Sequence, residues 1–216
     1  PTPSPVPPPG GLVSRWTGDG NADDTVGGNN GTLVNGATYT TGVLGQAFAF
    51  DGVDDHLLAP TTGLPTGNSD RTLTMWVKVE APVANEAFFG GYGKFGEPTQ
   101  TYALGASGTL NGLFFSQWGS GVSGPQLQNG RWYHVAIKNV ANQATLYLDG
   151  HAGAGVLTIA TAPDSQFYLG TIPGTHGGTR RLQGAVDDVR IYNRALSDLE
   201  IQSVFNERAF SQTPTP

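Results

Sequence analysis

The stretch 71-RTLTMWVKV-79 decides the fold, because its side chains alternate between two faces along the whole segment. One face carries Leu73, Met75, Val77 and Val79, and the other carries Thr74, Trp76 and Lys78. A period of two residues is typical of a β-strand, whereas an amphipathic helix repeats every 3.6 residues. We therefore predict a strand that buries one face in a core.

The same period recurs in 132-WYHVAIKNV-140 and 144-ATLYLDG-150. Asn-Gly and Asp-Gly pairs punctuate the chain, and such pairs adopt the positive φ angles that tight hairpin turns need. They stand at 30–31, 35–36, 51–52, 111–112, 129–130 and 149–150. Because no helical segments alternate with the strands, we predict an all-β fold in which two antiparallel sheets form a sandwich.

One short helix is predicted in 195-ALSDLEIQSVFNE-207. Ser197 and Glu200 have the spacing of a capping box, and Leu196 and Ile201 that of a hydrophobic staple. A partial apolar stripe consists of Leu199, Val204 and Phe205. We expect this helix to pack against the edge of a sheet and to be structural.

Composition limits the classes of partner. The 216 residues include 32 glycines and no cysteine, and the net charge is −6. Nucleic-acid binding requires clustered lysine and arginine, so we predict no nucleic-acid partner. No apolar run is long enough to span a bilayer, and the absence of cysteine excludes a disulfide scaffold and a thiol nucleophile.

Proline-rich segments lie at both ends of the sequence. Proline recurs every two or three residues in 1-PTPSPVPPPGG-11, and the sequence ends with SQTPTP. Such spacing favours an extended polyproline II spacer. We predict linkers at 1–11 and 209–216 around one domain at 12–208, and we expect the chain to be a piece of a longer protein whose other domains these linkers join.

An acidic segment, 18-GDGNADDTVGGNNG-31, lacks any basic residue in the sequence that follows it until Arg71. Asp19, Asn21 and Asp23 have the opening spacing of an EF-hand loop, but Asp24 stands where that loop requires glycine. Short oxygen side chains in a glycine-rich backbone can still surround a cation. The alternative is that these acids cap turns or pair with arginines that fold back on them.

Three segments in order resemble a known family: the acidic segment, 45-GQAFAFDGVDDHL-57, and 182-LQGAVDDVRIYNRALSDLEI-201. Together they are similar to the bacterial laminin-G-like jelly-roll domains, relatives of the concanavalin A-like lectins and pentraxins. The resemblance implies a two-sheet jelly roll, an accessory or adhesive role in extracellular bacterial proteins, and a structural calcium ion. The family's aspartates fall on Asp24 and Asp187.

Asp187 has support of its own. Read by alternation, Asp187 shares a face with Val189 and Ile191, and an acid on an inner face needs a cation, hydrogen-bond donors or an uncharged state. We therefore predict a Ca²⁺ site formed by Asp19, Asn21, Asp24 and Asp187, whether structural or bridging a ligand. For Asp54 and Asp55 we favour solvated turns, and Asp51 is left open.

No catalytic site is predicted. Glycoside hydrolases need two carboxyl groups ~5–10 Å apart, and no glutamate outside the predicted helix has an acid two residues away. A G-x-S-x-G nucleophile elbow and an H-E-x-x-H zinc motif are also absent from the sequence. A glycoside hydrolase is therefore the weakest of the alternatives.

A ligand site is predicted in residues 85–121, where aromatic residues and glycine replace strict alternation. Exposed glycine-rich loops that carry aromatic residues are common binding sites on a sandwich. The candidates are Tyr92, Phe95 and Trp118, although such residues also pack beneath long loops. A second segment, 170–184, offers His176, Arg180 and Arg181 for another part of the site or for an acidic partner.

These observations favour a non-catalytic binding or adhesion module, secreted or on the surface of a bacterium. Its expected partner is a polysaccharide or a surface protein. The alternative is a structural or assembly domain of a surface appendage or stalk that binds no small ligand.

Overall fold

The computed structural model describes residues 9–83, 85–108, 112–153, 155, 159–163, 166–173 and 180–211. In chain order its strands are β1 (Leu12–Trp16), β2 (Thr32–Val34), β3 (Thr38–Thr41), β4 (Gln46–Asp51), β5 (His56–Pro60), β6 (Arg71–Val79), β7 (Glu86–Gly93), β8 (Thr101–Ser107), β9 (Gly112–Ser116), β10 (Gly121–Gln126), β11 (Trp132–Val140), β12 (Gln143–Leu148), β13 (His151–Ala152), β14 (Gln166–Leu169) and β15 (Gln183–Tyr192). One helix, α1 (Asp198–Ser211), follows them.

The strands form two antiparallel sheets, as the alternation predicts. The eight-stranded sheet has the order β13-β12-β11-β6-β15-β4-β3, and β1 also pairs with β15. The seven-stranded sheet has the order β10-β9-β8-β7-β14-β5-β2. Strands distant in sequence are neighbours in both sheets, which brings the two ends of the domain together where β1 pairs with β15.

The core lies between the two sheets. Leu73, Met75 and Val77 of β6 enter it, as the opening segment predicts. Trp76, on the other face of β6, stacks on Phe205 of α1 with ring centroids 5.5 Å apart. The β6 strand is therefore covered on both sides, by the second sheet and by the helix.

A β-bulge in β15 changes the face of Asp187. Val186 lies in the core opposite Val77, and Asp187 pairs with Trp76 on the helix-side face. The register shifts between Asp187 and Arg190, and Asp188 has a φ of 48°. The extra residue restores Val189 to the core, so the predicted shared face of Asp187 and Val189 is wrong.

The helix begins as predicted but packs elsewhere. The Ser197 hydroxyl accepts a hydrogen bond from the Glu200 N–H, and the Glu200 carboxylate accepts one from the Ser197 N–H, which confirms the capping box. The expected packing against a sheet edge is wrong, because α1 covers the outer face of the eight-stranded sheet. Its apolar contacts are formed by Ala136, Tyr147, Tyr192, Leu196, Ile201 and Val204. Leu199, predicted in the apolar stripe, is 77% exposed.

The predicted linkers fall largely outside the described residues, which exclude 1–8 and 212–216. The last turn of α1 extends into the segment predicted as the second linker, 209–216. Within the described part of the chain, no helix has the length and apolar character needed to cross a membrane.

Candidate functional site

Asp24 organises the acidic loop through backbone hydrogen bonds. Its Oδ1 accepts from the N–H groups of Arg15, Val26 and Gly27 at 2.9 to 3.0 Å, and its Oδ2 accepts from that of Asn29 at 3.1 Å. A carboxylate has about four lone-pair positions, and donors compete with a cation for them. The geometry therefore assigns Asp24 to holding the loop against β1 rather than to the predicted Ca²⁺ site.

The charge of Asp24 is stabilised without a metal. Burial opposes ionisation, but the N–H groups of Arg15 and Gly27, the Ser14 hydroxyl and the N–H of Val26 together hold the pKa of this carboxyl below its usual value. These donors therefore stabilise one of the negative charges of the acidic loop.

Asp187 is only partly satisfied. The residue is fully buried, and its Oδ2 accepts from the N–H groups of Val43 and Leu44 at 2.7 and 2.9 Å. Its Oδ1 is buried and has no hydrogen-bond partner among the described residues. The pKa of Asp187 is raised to about 7, because burial and the charges of Asp188 and Asp19 together outweigh the two N–H donors, which lower it.

Asp19, in the loop after β1, contacts the same turn. The turn at 42–45 joins β3 to β4, and the Asp19 Oδ1 accepts from the Gln46 N–H at 2.8 Å. Gly45 has a φ of 78°, and a Cβ there would overlap the Asp19 carboxylate. Glycine thus permits Asp19 to approach the turn that also holds Asp187. Asn21 is exposed, and its side-chain oxygen accepts from the Asp23 N–H instead.

The environment of Asp187 suits a cation. An ionised carboxylate with one unpartnered buried oxygen carries a large desolvation cost, which a bound cation would remove. A second carboxylate, Asp19, interacts electrostatically with the first. Hard oxygen donors of this kind are the ligands that Ca²⁺ prefers.

A different acidic group has its ligand atoms close together. Carboxylate oxygens of Asp51, Asp54 and Asp55 lie within 4.8 Å of one another, an arrangement that could hold a metal ion. Asp55 accepts from the N–H groups of Gly36 and Asp51, and Asp51 accepts from that of Val53. The sequence predicts solvated turns for Asp54 and Asp55. Asp51 and Asp54 are exposed, whereas Asp55 is buried.

The glutamates are committed to ion pairs. All five lie within 4.0 Å of a lysine or arginine nitrogen, in the pairs Lys78–Glu80, Arg180–Glu86, Lys94–Glu97, Arg194–Glu200 and Arg190–Glu207. The Arg194 partner and the Ser197 N–H lower the pKa of Glu200 to about 2. A glutamate held ionised in this way is a poor general acid, because that role requires a raised pKa.

The predicted ligand aromatics divide between the core and the surface. Tyr92 is only 1% exposed, and its hydroxyl donates to the Pro65 carbonyl at 2.8 Å. The prediction of Tyr92 as a ligand-binding residue is therefore corrected, since a ring inside the sandwich cannot stack on a ligand. Phe95 and Trp118 are half-buried and pack on Phe88 and Phe114 outside the seven-stranded sheet.

Tyr168 joins this surface and was missed in the sequence. Its ring meets Phe95 edge to face at 5.7 Å, and it is half-buried on β14 between the core residues Phe167 and Leu169. The alternation in 166-QFYL-169 could have placed it on the outer face. We call Phe95, Trp118 and Tyr168 the aromatic surface.

Trp118 is held in an unusual conformation. Its φ of 64° lies in the left-handed region, which is rare for a bulky side chain. The Arg180 guanidinium lies 4.7 Å from the ring centroid, and Arg180 also pairs with Glu86 at 3.3 Å. Strained residues concentrate at functional sites, so this backbone conformation makes Trp118 the first candidate within the aromatic surface. His176, also predicted in this area, lies outside the described residues.

Solved structures with the same fold include binding and enzyme chains. Domain 4 of AbnA, a GH43 extracellular arabinanase from Geobacillus stearothermophilus solved with arabinotriose, is 20% identical with a TM-score of 0.71, over 89% of this chain and 97% of that one. Trypanosoma rangeli sialidase with sialic acid is 20% identical with a TM-score of 0.73, over 96% of this chain. The binding domain of Paraclostridial Mosquitocidal Protein 1 is 14% identical with a TM-score of 0.71, over 91% and 52%.

The extent of these matches differs. The chain spans 34% of the length of the sialidase chain, and identities at this level establish a shared β-sandwich fold. A comparison of the sequence with curated proteins found no match. The family model described as the concanavalin A-like lectin/glucanases superfamily matches residues 51–202, most of the chain. The protein therefore belongs to this laminin G-like family of the concanavalin A-like lectin/glucanases superfamily.

Proposed function

We propose that this domain is a non-catalytic glycan-binding module that uses the aromatic surface of its seven-stranded sheet. The observation that carries the proposal is the grouping of Phe95, Trp118 and Tyr168, three half-buried rings on the face that α1 does not cover. Aromatic rings stack on the apolar faces of sugars, and neighbouring polar groups fix orientation. The arabinotriose complex of a domain with the same fold supports this class of ligand.

A binding role fits the disposition of the acids better than hydrolysis does. Each glutamate has a cationic partner, and Asp24 and Asp188 are held ionised by donors and arginines. A module of this kind would serve an extracellular bacterial protein, and its proline-rich ends would act as spacers between the domain at 12–208 and its neighbours.

The binding experiment is affinity electrophoresis in gels that contain neutral arabinan. We expect retardation of the wild-type domain, and an affinity loss of at least about tenfold in Trp118→Ala, which corresponds to ~1.4 kcal/mol. Trp132→Ala is the matched control, because Trp132 is a half-buried tryptophan on the other sheet. Equal retardation of the three proteins would refute the role of the aromatic surface. A wild-type domain that no neutral or acidic polysaccharide retards would refute glycan binding altogether.

We infer further that Asp187 and Asp19 hold a structural Ca²⁺ against the turn at 42–45. The support is the unpartnered buried Oδ1 of Asp187 and the approach of Asp19 to the same turn. Calcium at 100 times its dissociation constant would stabilise the folded state by about 2.7 kcal/mol. For a domain of this size, that corresponds to a rise in melting temperature of about 5–10 °C.

The calcium experiment compares melting temperatures in EDTA and in excess CaCl₂. The rise should vanish in Asp187→Asn and persist in Asp54→Asn, which changes the exposed acidic group instead. A rise that is lost in Asp54→Asn but kept in Asp187→Asn would move the site to Asp51, Asp54 and Asp55. No rise in any metal-free protein would show that hydrogen bonds alone support these acids.

A further inference from the structure

A pocket opens beside the aromatic surface, at the end of β14. It has a volume of about 280 Å³, and its walls include His56, Tyr168, Ile172, Arg180 and Arg181. Small-molecule sites begin at about 300 Å³, so the pocket lies just below that range and is suited to one sugar unit rather than to a long segment. Arg180 belongs to both features, because its guanidinium also covers Trp118.

The charge of the pocket is positive. Two arginines contribute to its wall, and none of the described residues that line it is acidic. The nearest acids in the sequence are Asp54 and Asp55, which precede His56. Both carboxylate oxygens of Asp55 accept backbone N–H groups, from Gly36 and Asp51, at 2.7 and 3.0 Å. The carboxylate of Asp55 is therefore directed to the turn between β4 and β5.

The two arginines differ in their commitments. Arg180 pairs with Glu86 at 3.3 Å and lies over Trp118, so its position is fixed by two partners. Arg181 is half-buried, and no carboxylate of the described residues lies within 4.0 Å of its guanidinium. A half-buried guanidinium loses part of its hydration and gains most from an anion that offers two oxygens.

The ring of Tyr168 supplies an apolar wall. Its hydroxyl donates to the Gln166 side chain at 2.8 Å, and the ring meets Phe95 edge to face with centroids 5.7 Å apart. The pocket thus combines an apolar ring with a planar cation. A sugar that carries a charged substituent presents the same two features, an apolar ring face and an anionic group.

We propose that this pocket binds the anionic group of an acidic glycan, a carboxylate or a sulfate, with Arg181 as its cationic partner and Tyr168 as the wall for the sugar ring. This inference rests on the proposed glycan-binding function and specifies the class of glycan. The neutral part of the chain would continue over Trp118, which Arg180 connects to the pocket.

The test uses polygalacturonate and its highly methyl-esterified form, which share a backbone but differ in charge. In affinity electrophoresis, the wild-type domain should bind the acid form more tightly, and Arg181→Gln should lose about tenfold in affinity for the acid form alone. The control is Arg131→Gln, which changes the net charge by the same amount. Arg131 pairs with Asp149 and does not line the pocket. Dextran sulfate serves as a second probe, and a loss in Arg181→Gln there supports a sulfate as the bound group.

Three results would overturn the inference. The first is equal behaviour of Arg181→Gln and Arg131→Gln, and the second is equal binding of the acid and the ester. The third is Arg181-dependent binding of poly-glutamate without binding of either polysaccharide, which would identify an acidic peptide as the partner. Retention of neutral arabinan in a protein that fails the first two tests would leave the proposed glycan-binding function intact, so the two failures are distinguishable.

Discussion

Asp187 and Asp188 are neighbours in β15, and both are buried, yet their surroundings are opposite. Asp188 contacts two guanidinium groups, from Arg15 at 2.7 Å and from Arg190 at 2.6 Å. Asp187 contacts no cation within the described residues, and one of its oxygens has no hydrogen-bond partner. The bulge separates the two side chains, which directs Asp187 to the turn at 42–45.

The difference shows that partners rather than burial alone decide the charge of a buried acid. Burial favours the neutral form of both residues, but Arg190 and Arg15 outweigh it and lower the pKa of Asp188. The two N–H donors of Asp187 do not outweigh it, and the pKa rises to about 7. An acid with cationic partners, such as Asp188, links parts of the structure. An acid with an unpartnered oxygen, such as Asp187, can still bind a ligand.

The largest effect is expected from Asp188→Asn. The amide keeps the size of the side chain and tolerates the positive φ, but it removes the carboxylate partner of Arg15 and leaves the buried Arg190 with Glu207 alone. Breaking a buried ion pair costs ~3–5 kcal/mol of the free energy of unfolding, and we expect about 3 kcal/mol here because Glu207 still pairs with Arg190. Urea unfolding at pH 7 measures the loss.

Asp23→Asn is the control for this prediction, because Asp23 is an exposed aspartate of the acidic loop. Its substitution should change the free energy of unfolding by no more than about 0.5 kcal/mol. A loss in Asp188→Asn as small as that of the control would mean that water or other acids replace Asp188 as the partner of both arginines. The contrast between Asp188 and Asp187 would then be refuted.

A smaller loss is expected from Asp24→Ala, which tests whether the acidic loop is held without a metal. The substitution removes the acceptor of four backbone N–H groups, some of which water can reach. We expect a loss of about 2–3 kcal/mol in EDTA and an unchanged response to calcium. Calorimetry with and without CaCl₂ measures both. A calcium response that disappears in Asp24→Ala would return this residue to the metal site.

The sequence predicts the sandwich well because alternation depends on local pattern. The segments of β6 and β11 and the capping box of α1 need only neighbouring residues to be recognised, and the structure has them where predicted. The bulge in β15 is different. A single inserted residue reverses the face of Asp187, and only the pairing with β6 reveals it.

The candidate sites depend more on tertiary structure. Asp187 and Asp19 are far apart in sequence, and their common turn is visible only once β4 pairs with β15. Tyr92 resembles Phe95 in sequence context, but the bulge in β7 turns its ring into the core. The cation Arg181 could be named from the sequence, whereas its lack of a carboxylate partner among the described residues could not.

The smallest effect is expected from Asp187→Asn, measured in EDTA as a function of pH. The folded-state pKa of about 7 lies above the ordinary value of 3.8, so between these values the folded state binds more protons than the unfolded state. Stability of the wild-type domain should therefore fall as pH rises through this window. The variant cannot ionise here, and above pH 7 it should be more stable than wild type by about 1–2 kcal/mol, because a buried amide keeps part of the polar cost. Excess calcium should reverse this order, since it stabilises only the ionised wild type. Parallel pH curves for the two proteins would show that Asp187 is already satisfied and would remove its contrast with Asp188.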